Sequence, residues 1–570
     1  MRVMTSVLFM ALSMGAYSLQ AATPAASSSS AAPAVALAPQ INAADFAQFD
    51  KTLASDAFGG RKPGTIYEQR TTSWLVEQYK RMGLQPGNHG SWFQTVPADS
   101  TQLINTDVTL DIAANGKESK LANHTDMMVE TLQAKAAVDL KNSPVVFLGY
   151  GADAPAWQWN DYQGVDVKGK TVIVLVNDPG FATGDPKLFN GRAMTYYGRW
   201  TYKYAEAALK GAAACFIVHT SDAAAGYPWS VVQNSGSGAR LSLPSSVDPS
   251  PQLPVAGWLT RDAATRLFAA AGLDFDKLEK DAAKPGFKAV PLQVTASVSL
   301  RNKISHIESH NVLAMVKGSS KPDEVVIYTA HWDHLGMDTT RKGHQVFSGA
   351  IDNGTGLTML LELADAFAHQ KTPPQRSVLF FTPTLEESGL LGSQYYAAKP
   401  VFPLEKTVAD IAVDALPIIG LAHDMTVIGM GQSQLEDMLG AVLKTQGRVM
   451  SQETTPENGF YFRSDHFSFA KAGVPAMLAS SGLDLLNGGK VAGQKAADDY
   501  TKHHYHTPDD VFNPNWDLAG ILEDTQAIYV LGQQLSEDGQ WPQWYASSPF
   551  KAKREAMMSH DKSGGANAAK

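Results

Sequence analysis

The spacing of apolar positions changes character along the chain. Residues 71–82 carry apolar side chains at helical intervals and stop at Gly83, so 42–87 reads as helical around the Gly-rich loop Phe58-Gly59-Gly60-Arg61-Lys62-Pro63-Gly64-Thr65. From about 105 to 295 the pattern shortens to alternating runs such as 108–112, 145–148 and 171–176, punctuated by Gly, Asn and Asp. That texture predicts a β-rich module, with one helix at 202–209 leading into a buried strand at 213–219. From about 305 to 540 short apolar runs (324–329, 377–382, 407–413, 474–479) alternate with amphipathic ones (356–368, 435–443, 518–535). The alternation predicts an α/β fold, a mixed, mostly parallel sheet covered by helices, because parallel strands need crossover connections and bury both faces.

Composition adds boundaries to this pattern. With 570 residues, 44% hydrophobic and 18% charged, the chain can bury a large core divided among two or three domains. Arg2, a mostly apolar stretch at 3–19 and the small residues Ala21 and Ala22 read as a secretory signal peptide over 1–22, a retained membrane anchor being the other reading. Residues 23–40 are an Ala/Ser/Pro linker, with order expected from Ile41. The expected divisions are then 41–104 (N-terminal helical part of the main domain), 105–295 (insertion), 296–548 (main domain) and 549–570 (flexible tail).

Charge and cysteine content narrow the chemistry. The 47 basic and 56 acidic residues give a net charge of −9, which argues against a nucleic-acid partner. No stretch after the leader approaches the ~20 apolar residues of a membrane span, so the mature product is expected to be periplasmic or secreted, with no membrane association and its oligomeric state open. Cys215 is the sole cysteine and lies in an apolar run, where it reads as a small buried hydrophobe. Any metal site must therefore use His, Asp and Glu.

Such residues follow the strand ends of the α/β stretch. Ala330-His331-Trp332-Asp333-His334 comes after the first. A lone histidine there reads as locally hydrogen-bonded, but Asp333 supplies a carboxylate able to hold the imidazole tautomer of a ligand. Ser348-Gly349-Ala350-Ile351-Asp352-Asn353-Gly354 opens the helix at 356–368, and Asp352 is either a turn residue or a carboxylate offering one oxygen to each of two cations. Glu386-Glu387 follows an apolar strand; the pair is either two solvated charges or a ligand beside a general base. Asp414 sits among Ile411, Val413, Leu416 and Ile418, where an unpaired carboxylate is costly without a cation. Tyr505-His506-Thr507-Pro508-Asp509-Asp510 adds a late histidine, with His503 and His504 as competitors and Asp509 or Asp510 to orient the ring.

Taken in order, H-x-D, D-N-G, E-E, D and Y-H-x-P-x-D resemble the M28 family of zinc peptidases over about 300–540, with 53–87 similar to that family's N-terminal helical segment. The resemblance implies two Zn2+ ions per chain: His331, Asp352 and Asp414 for one, Asp352, Glu387 and His506 for the other, Asp352 bridging. It implies Glu386 as general base, Asp333 as the orienting carboxylate and Tyr505 as a group that stabilises the tetrahedral intermediate. Residues 140–260 resemble the protease-associated domain inserted in this family, on Val167-Lys168-Gly169-Lys170-Thr171-Val172-Ile173-Val174 and Lys210-Gly211-Ala212-Ala213-Ala214. Many members carry Asn two residues before the third ligand, where this chain has Ala412. Arg463-Ser464-Asp465-His466-Phe467 is similar to the family's substrate-proximal segment, and also reads as a capped helix start.

The activity implied is that of an exported metallopeptidase acting on peptide substrates, an aminopeptidase first, since the constellation is rich in carboxylates that suit a free ammonium. The alternatives are a carboxypeptidase or dipeptidase on the same scaffold, for which Arg463 would be the carboxylate anchor, and a catalytically silent binding protein.

Overall fold

The computed structural model describes residues 35–567 apart from 106, 115, 236, 237 and 538. The expected signal peptide and most of the linker, residues 1–34, lie outside the described residues. The end of the linker is already tied down: the Ala38 N–H donates to Gln526 Oε1 at 2.7 Å, and Ile41 is buried.

Two sheets organise the described chain. In the first, strands run in the order Phe93–Leu103, the C-terminal part of Val290–Val316, Arg376–Thr382, Lys321–Thr329, Thr407–Val413, Ala476–Ser481, Asp424–Ile428 and Val449–Gln452. The four central strands are parallel, and antiparallel neighbours flank them. Every residue of Arg376–Thr382 and Thr407–Val413 is buried, as expected of strands covered on both faces.

Alternate side chains sort those strands between two cores. Val326, Tyr328, Val378 and Phe380 pack with Phe46, Leu75, Leu360, Leu439 and Ile528 of the helices Ala43–Leu53, Ile66–Arg81, Gly356–Ala368, Gln434–Thr445 and Ala519–Glu537. Val325, Ile327, Leu379 and Phe381 face the other way, onto Tyr396, Phe469 and Phe550. The period-two split is what a strand buried on both sides requires.

The second sheet runs Lys117–Ala122, Thr109–Ala114, the N-terminal part of Val290–Val316, Ala137–Phe147, Thr171–Leu175, Ala214–His219, Val255–Thr260 and Met127–Glu130. Its centre is parallel, and it carries helices beyond the one expected, at Arg261–Ala270 and Phe275–Ala282. Cys215 is buried in it as a free thiol, and burial pushes its pKa up to about 12. One continuous strand, Val290–Val316, belongs to both sheets.

Some elements differ from the sequence pattern. Asp424–Ile428 and Val449–Gln452 are short pieces whose hydrophobic runs are too brief to stand out. The end of the chain, expected to fray, continues as helix Lys551–Asn567, with Arg554 donating to Leu404 O and Thr407 O at 2.9 Å each and Phe550 buried in the core. The anchoring contacts are long-range and invisible to local composition. Among the described residues no helix is long and apolar enough to cross a membrane.

Phe380 is fully buried and its ring stacks on Tyr328 at 5.7 Å. Phe380→Ala is expected to lower the unfolding free energy by about 3–5 kcal/mol, whereas Leu209→Ala at an exposed position should stay within ~0.5 kcal/mol, both read from urea titrations.

Candidate metal centre

Parallel central strands put their carboxyl ends on one edge of the first sheet, and the loops leaving those ends converge there. His331 stands two residues beyond Lys321–Thr329, Asp414 directly follows Thr407–Val413, and Glu386 and Glu387 lie just past Arg376–Thr382. Asp352 comes from the turn ahead of Gly356–Ala368, and His506 from the loop after Gly489–His503.

The distances resolve two groups sharing one carboxylate. His331 Nε2 lies 3.1 Å from Asp414 Oδ1 and 3.4 Å from Asp352 Oδ1. The other oxygen of Asp352, Oδ2, is 3.1 Å from His506 Nε2, which is also 3.1 Å from Glu387 Oε2. His334 Nδ1 meets Glu387 Oε1 at 2.6 Å, and candidate ligand atoms of His334, Asp352 and Glu387 lie within 4.8 Å of one another, as do those of His331, Asp352 and Asp414. Glu386 stands slightly back, its Oε2 3.9 Å from His331 Nε2.

The electrostatics are those of concentrated negative charge out of water. Burial works against a charged His331, yet Glu386 and Asp414 outweigh it and hold its pKa well above the usual range. Burial raises Glu386 well above the usual carboxylate range, Asp414 and Glu387 adding to the shift against the pull of His331. Burial also lifts Asp333 and Asp465 to about 7 each. The Nε2 of His334 is buried without a hydrogen-bond partner.

A buried arginine fixes the backbone beneath these side chains. Gly59 and Gly60 turn through positive φ (52° and 62°) to bring Arg61, itself fully buried, under the site. Its guanidinium donates to the carbonyls of Trp332 (2.9 Å), Ser348 (2.7 Å), Gly349 (2.9 Å), Leu53 (3.2 Å) and Asp352 (3.2 Å). The loop of His331 and the turn of Asp352 are thus tied to one group. Asn353 joins the next loop: its Nδ2 donates to Val413 O at 3.1 Å, and its Oδ1 accepts from the N–H groups of Gly356 (3.1 Å) and Ala415 (3.2 Å). Asp510 joins the last, accepting from the N–H groups of Ile351 (2.9 Å) and Asp352 (3.0 Å).

The structure brings His331, Asp352, Glu386, Glu387, Asp414 and His506 together, and stacks the Tyr505 ring on His506 at 3.9 Å between centroids. Two roles expected from sequence differ. The group on His331 Nδ1 is the backbone carbonyl of Asp333 at 3.1 Å, because that carboxylate turns instead to the Glu386 N–H at 3.0 Å. Asp510 binds backbone and does not orient the His506 ring, and Asp509 offers only its carbonyl, to His504 Nδ1 at 2.8 Å. Asp465 occupies the N-cap position of His466–Ala472 without making a side-chain cap bond, so the helix-capping reading does not hold. Sequence reasoning passed over His334, although its three-residue spacing from His331 was the available signal, and gave Arg61 no role.

Residues 311–530 match the model of Peptidase family M28. Among curated proteins, the aminopeptidase NAALADL1 of Mus musculus is 29% identical over 171 residues, 28% of this chain and 20% of that protein. A probable zinc metalloprotease of Pyricularia oryzae is 28% identical over 163 residues, 28% of this chain and 29% of that protein. The chain thus spans less than a third of the length of these curated relatives. Among solved structures, an aminopeptidase from Aneurinibacillus sp. strain AM-1 aligns with a TM-score of 0.48 and 19% identity, covering 89% of this chain and 96% of that one. A zinc aminopeptidase from Bacillus subtilis aligns at 0.41 with 17% identity, covering 87% and 96%.

Removing the Arg61 guanidinium orphans buried carbonyls in several loops at once. Arg61→Met is expected to lower the unfolding free energy by about 3 kcal/mol, measured by urea denaturation of the metal-free protein so that lost metal does not contribute.

Proposed function

Since residues 311–530 form a domain of peptidase family M28, we propose that the chain is a zinc-dependent peptidase, and specifically an aminopeptidase releasing N-terminal residues from peptides. The observation that carries this reading is Asp352, whose two oxygens face two separate groups of imidazole and carboxylate. The donor set suits the metal. It consists of imidazole nitrogens and carboxylate oxygens without a thiolate, and the buried negative charge around Arg61 exceeds what one guanidinium offsets.

His331, Asp352 and Asp414 would hold one Zn2+, and Asp352, Glu387 and His506 the other, with His334 fixing Glu387 through its 2.6 Å contact. Bound there, the ions supply Lewis acidity toward a peptide carbonyl and toward water. Glu386 is the carboxylate left over once both groups are filled, and it takes the proton of the attacking water and hands it to the departing amine. Asp333 holds Glu386 in place through the Glu386 N–H. Tyr505, kept beside the site by its stacking on His506, steadies the oxyanion of the tetrahedral intermediate. The carboxylates also suit the free ammonium of a substrate's first residue. We further assign residues 105–295, which contribute none of these ligands, to a protease-associated type of insertion. Export to the periplasm or the medium belongs to the same proposal and rests on the N-terminal pattern at 1–22.

Glu386→Gln is expected to retain its zinc, by elemental analysis, while kcat falls by at least ~10²-fold. For Glu387→Gln and His506→Ala the expected outcome is one zinc fewer per chain in each; an unchanged stoichiometry in both would remove the second site. N-acetylating a good substrate should abolish cleavage, whereas amidating the C-terminus of a peptide several residues long should change little, with products identified by mass spectrometry.

A further inference from the structure

The least enclosed of the candidate ligands also has a strained backbone. The His506 side chain is 35% exposed, against 16% or less for His331, Asp352, Glu387 and Asp414. Its φ is +56°, a left-handed conformation that a residue with a side chain keeps only where its surroundings enforce it. Part of that enforcement comes from Asp510, which accepts from the N–H groups of Ile351 and Asp352. Another part comes from a histidine outside both ligand groups.

His344 lies in the connection between the paired strands Gly336–Met337 and Val346–Phe347. Its Nδ1 is 3.0 Å from the carbonyl oxygen of Pro508, two residues beyond His506, and its Nε2 is 2.9 Å from Asp56 Oδ1. A carbonyl and a carboxylate only accept, so both ring nitrogens donate and the ring is an imidazolium. The bond to Asp56 raises the His344 pKa against the effect of burial, with the Pro508 carbonyl and Asp509 adding to the rise.

The support of this ring is itself cross-linked. The Asp338 N–H donates to Gln345 O and Gln345 Nε2 to Arg341 O, at 2.9 Å each, while Asp338 Oδ1 accepts from the N–H (3.0 Å) and hydroxyl (2.6 Å) of Thr340. The two strands rest on Gly60, where a Cβ would stand 2.3 Å from Gly336 O and 2.6 Å from Phe347 O. Gly60 and Asp56 belong to Asp56–Arg61, the turn that delivers the Arg61 guanidinium. One imidazolium thus ties the loop of His506 to the segment already fastened beneath His331 and Asp352.

We propose that His344 is a positioning residue that tethers the His506 loop and so tightens the zinc held by Asp352, Glu387 and His506, without affecting the ion at His331 and Asp414. This rests on the two-zinc reading above. A ligand whose loop is already ordered gives up less freedom when the ion binds, and contacts one step out from a ligand are worth about 10- to 100-fold in metal affinity.

The test titrates the metal-free full chain with Zn2+ against a competing chelator. In His344→Phe one of the two ions should bind about tenfold or more weakly, and the other within about twofold of wild type. His344→Asn, whose amide nitrogen stands where Nδ1 does, should recover most of the loss by restoring the bond to Pro508. Two ions at wild-type affinity in His344→Phe overturn the tether, as does an equal loss of both or a loss that His344→Asn does not recover. A wild-type chain that takes up fewer than two ions overturns the two-zinc reading instead. Hydrogen exchange of residues 504–511 in the metal-free protein then judges the tether, about tenfold faster exchange in His344→Phe supporting it and equal exchange overturning it. If the melting temperature shows His344→Phe to be unfolded, Asp56→Ala cuts the bridge from its exposed end and takes its place: weaker binding of one ion supports the tether, and unchanged binding of both overturns it.

Discussion

One guanidinium that makes no ion pair among the described residues holds the centre together. Arg61 spends its donors on carbonyls of three separate stretches, the end of helix Ala43–Leu53 and the loops that present His331 and Asp352. The arrangement answers two demands at once. Loops that bend sharply at strand ends leave carbonyls without ladder partners, and a cluster of buried carboxylates needs positive charge nearby. Burial lowers the pKa of Arg61, while Asp352, Asp50, Asp510 and Asp333 work to raise it. Asn353 and Asp510 extend the same logic to the loops of Asp414 and His506, each satisfying backbone groups of a neighbouring segment. The loops of the candidate ligands are therefore held by hydrogen bonds to main chain.

Much of this was legible in the sequence, and the reasons are physical. The central strands are built on short apolar runs, and the helices between them repeat apolar residues at helical spacing, although Gly356–Ala368 is buried nearly all round, so run length and spacing separate them. Their carboxyl ends are marked by His331, Glu386, Glu387 and Asp414, residues that stand out because an apolar run ends on a titratable group. What stayed hidden depends on distant partners. The partners of Arg61 are mostly 271 to 291 residues away in the chain, so nothing local distinguishes it from a solvated arginine in a Gly-rich loop. The choice between the carboxylate and the carbonyl of Asp333 as partner of His331 turns on backbone geometry that residue spacing does not encode. The final helix was missed because its composition is polar, while its attachment comes from Arg554 and Phe550.

The second sheet changes how the site is bounded. Its turn at Tyr196 inserts into an aromatic cluster with Phe462, Phe467 and Phe550, so the segment carrying Arg463 is packed from both sides. The region of the second sheet meets the first through this hydrophobic contact, and none of the candidate metal ligands comes from it.

The strand Val290–Val316 gives that division a mechanical meaning. It runs through both sheets, paired with Ala137–Phe147 at one end, where its register shifts between Pro291 and Thr295 and between Ala296 and Val298, and with Phe93–Leu103 at the other. The two sheets are thereby joined by a hydrogen-bonded strand and not by an irregular linker. The side chains of that strand enter the cores on both sides, Val298 and Leu300 one and Val312 and Ala314 the other, so a disturbance of this single run of main chain is felt in both.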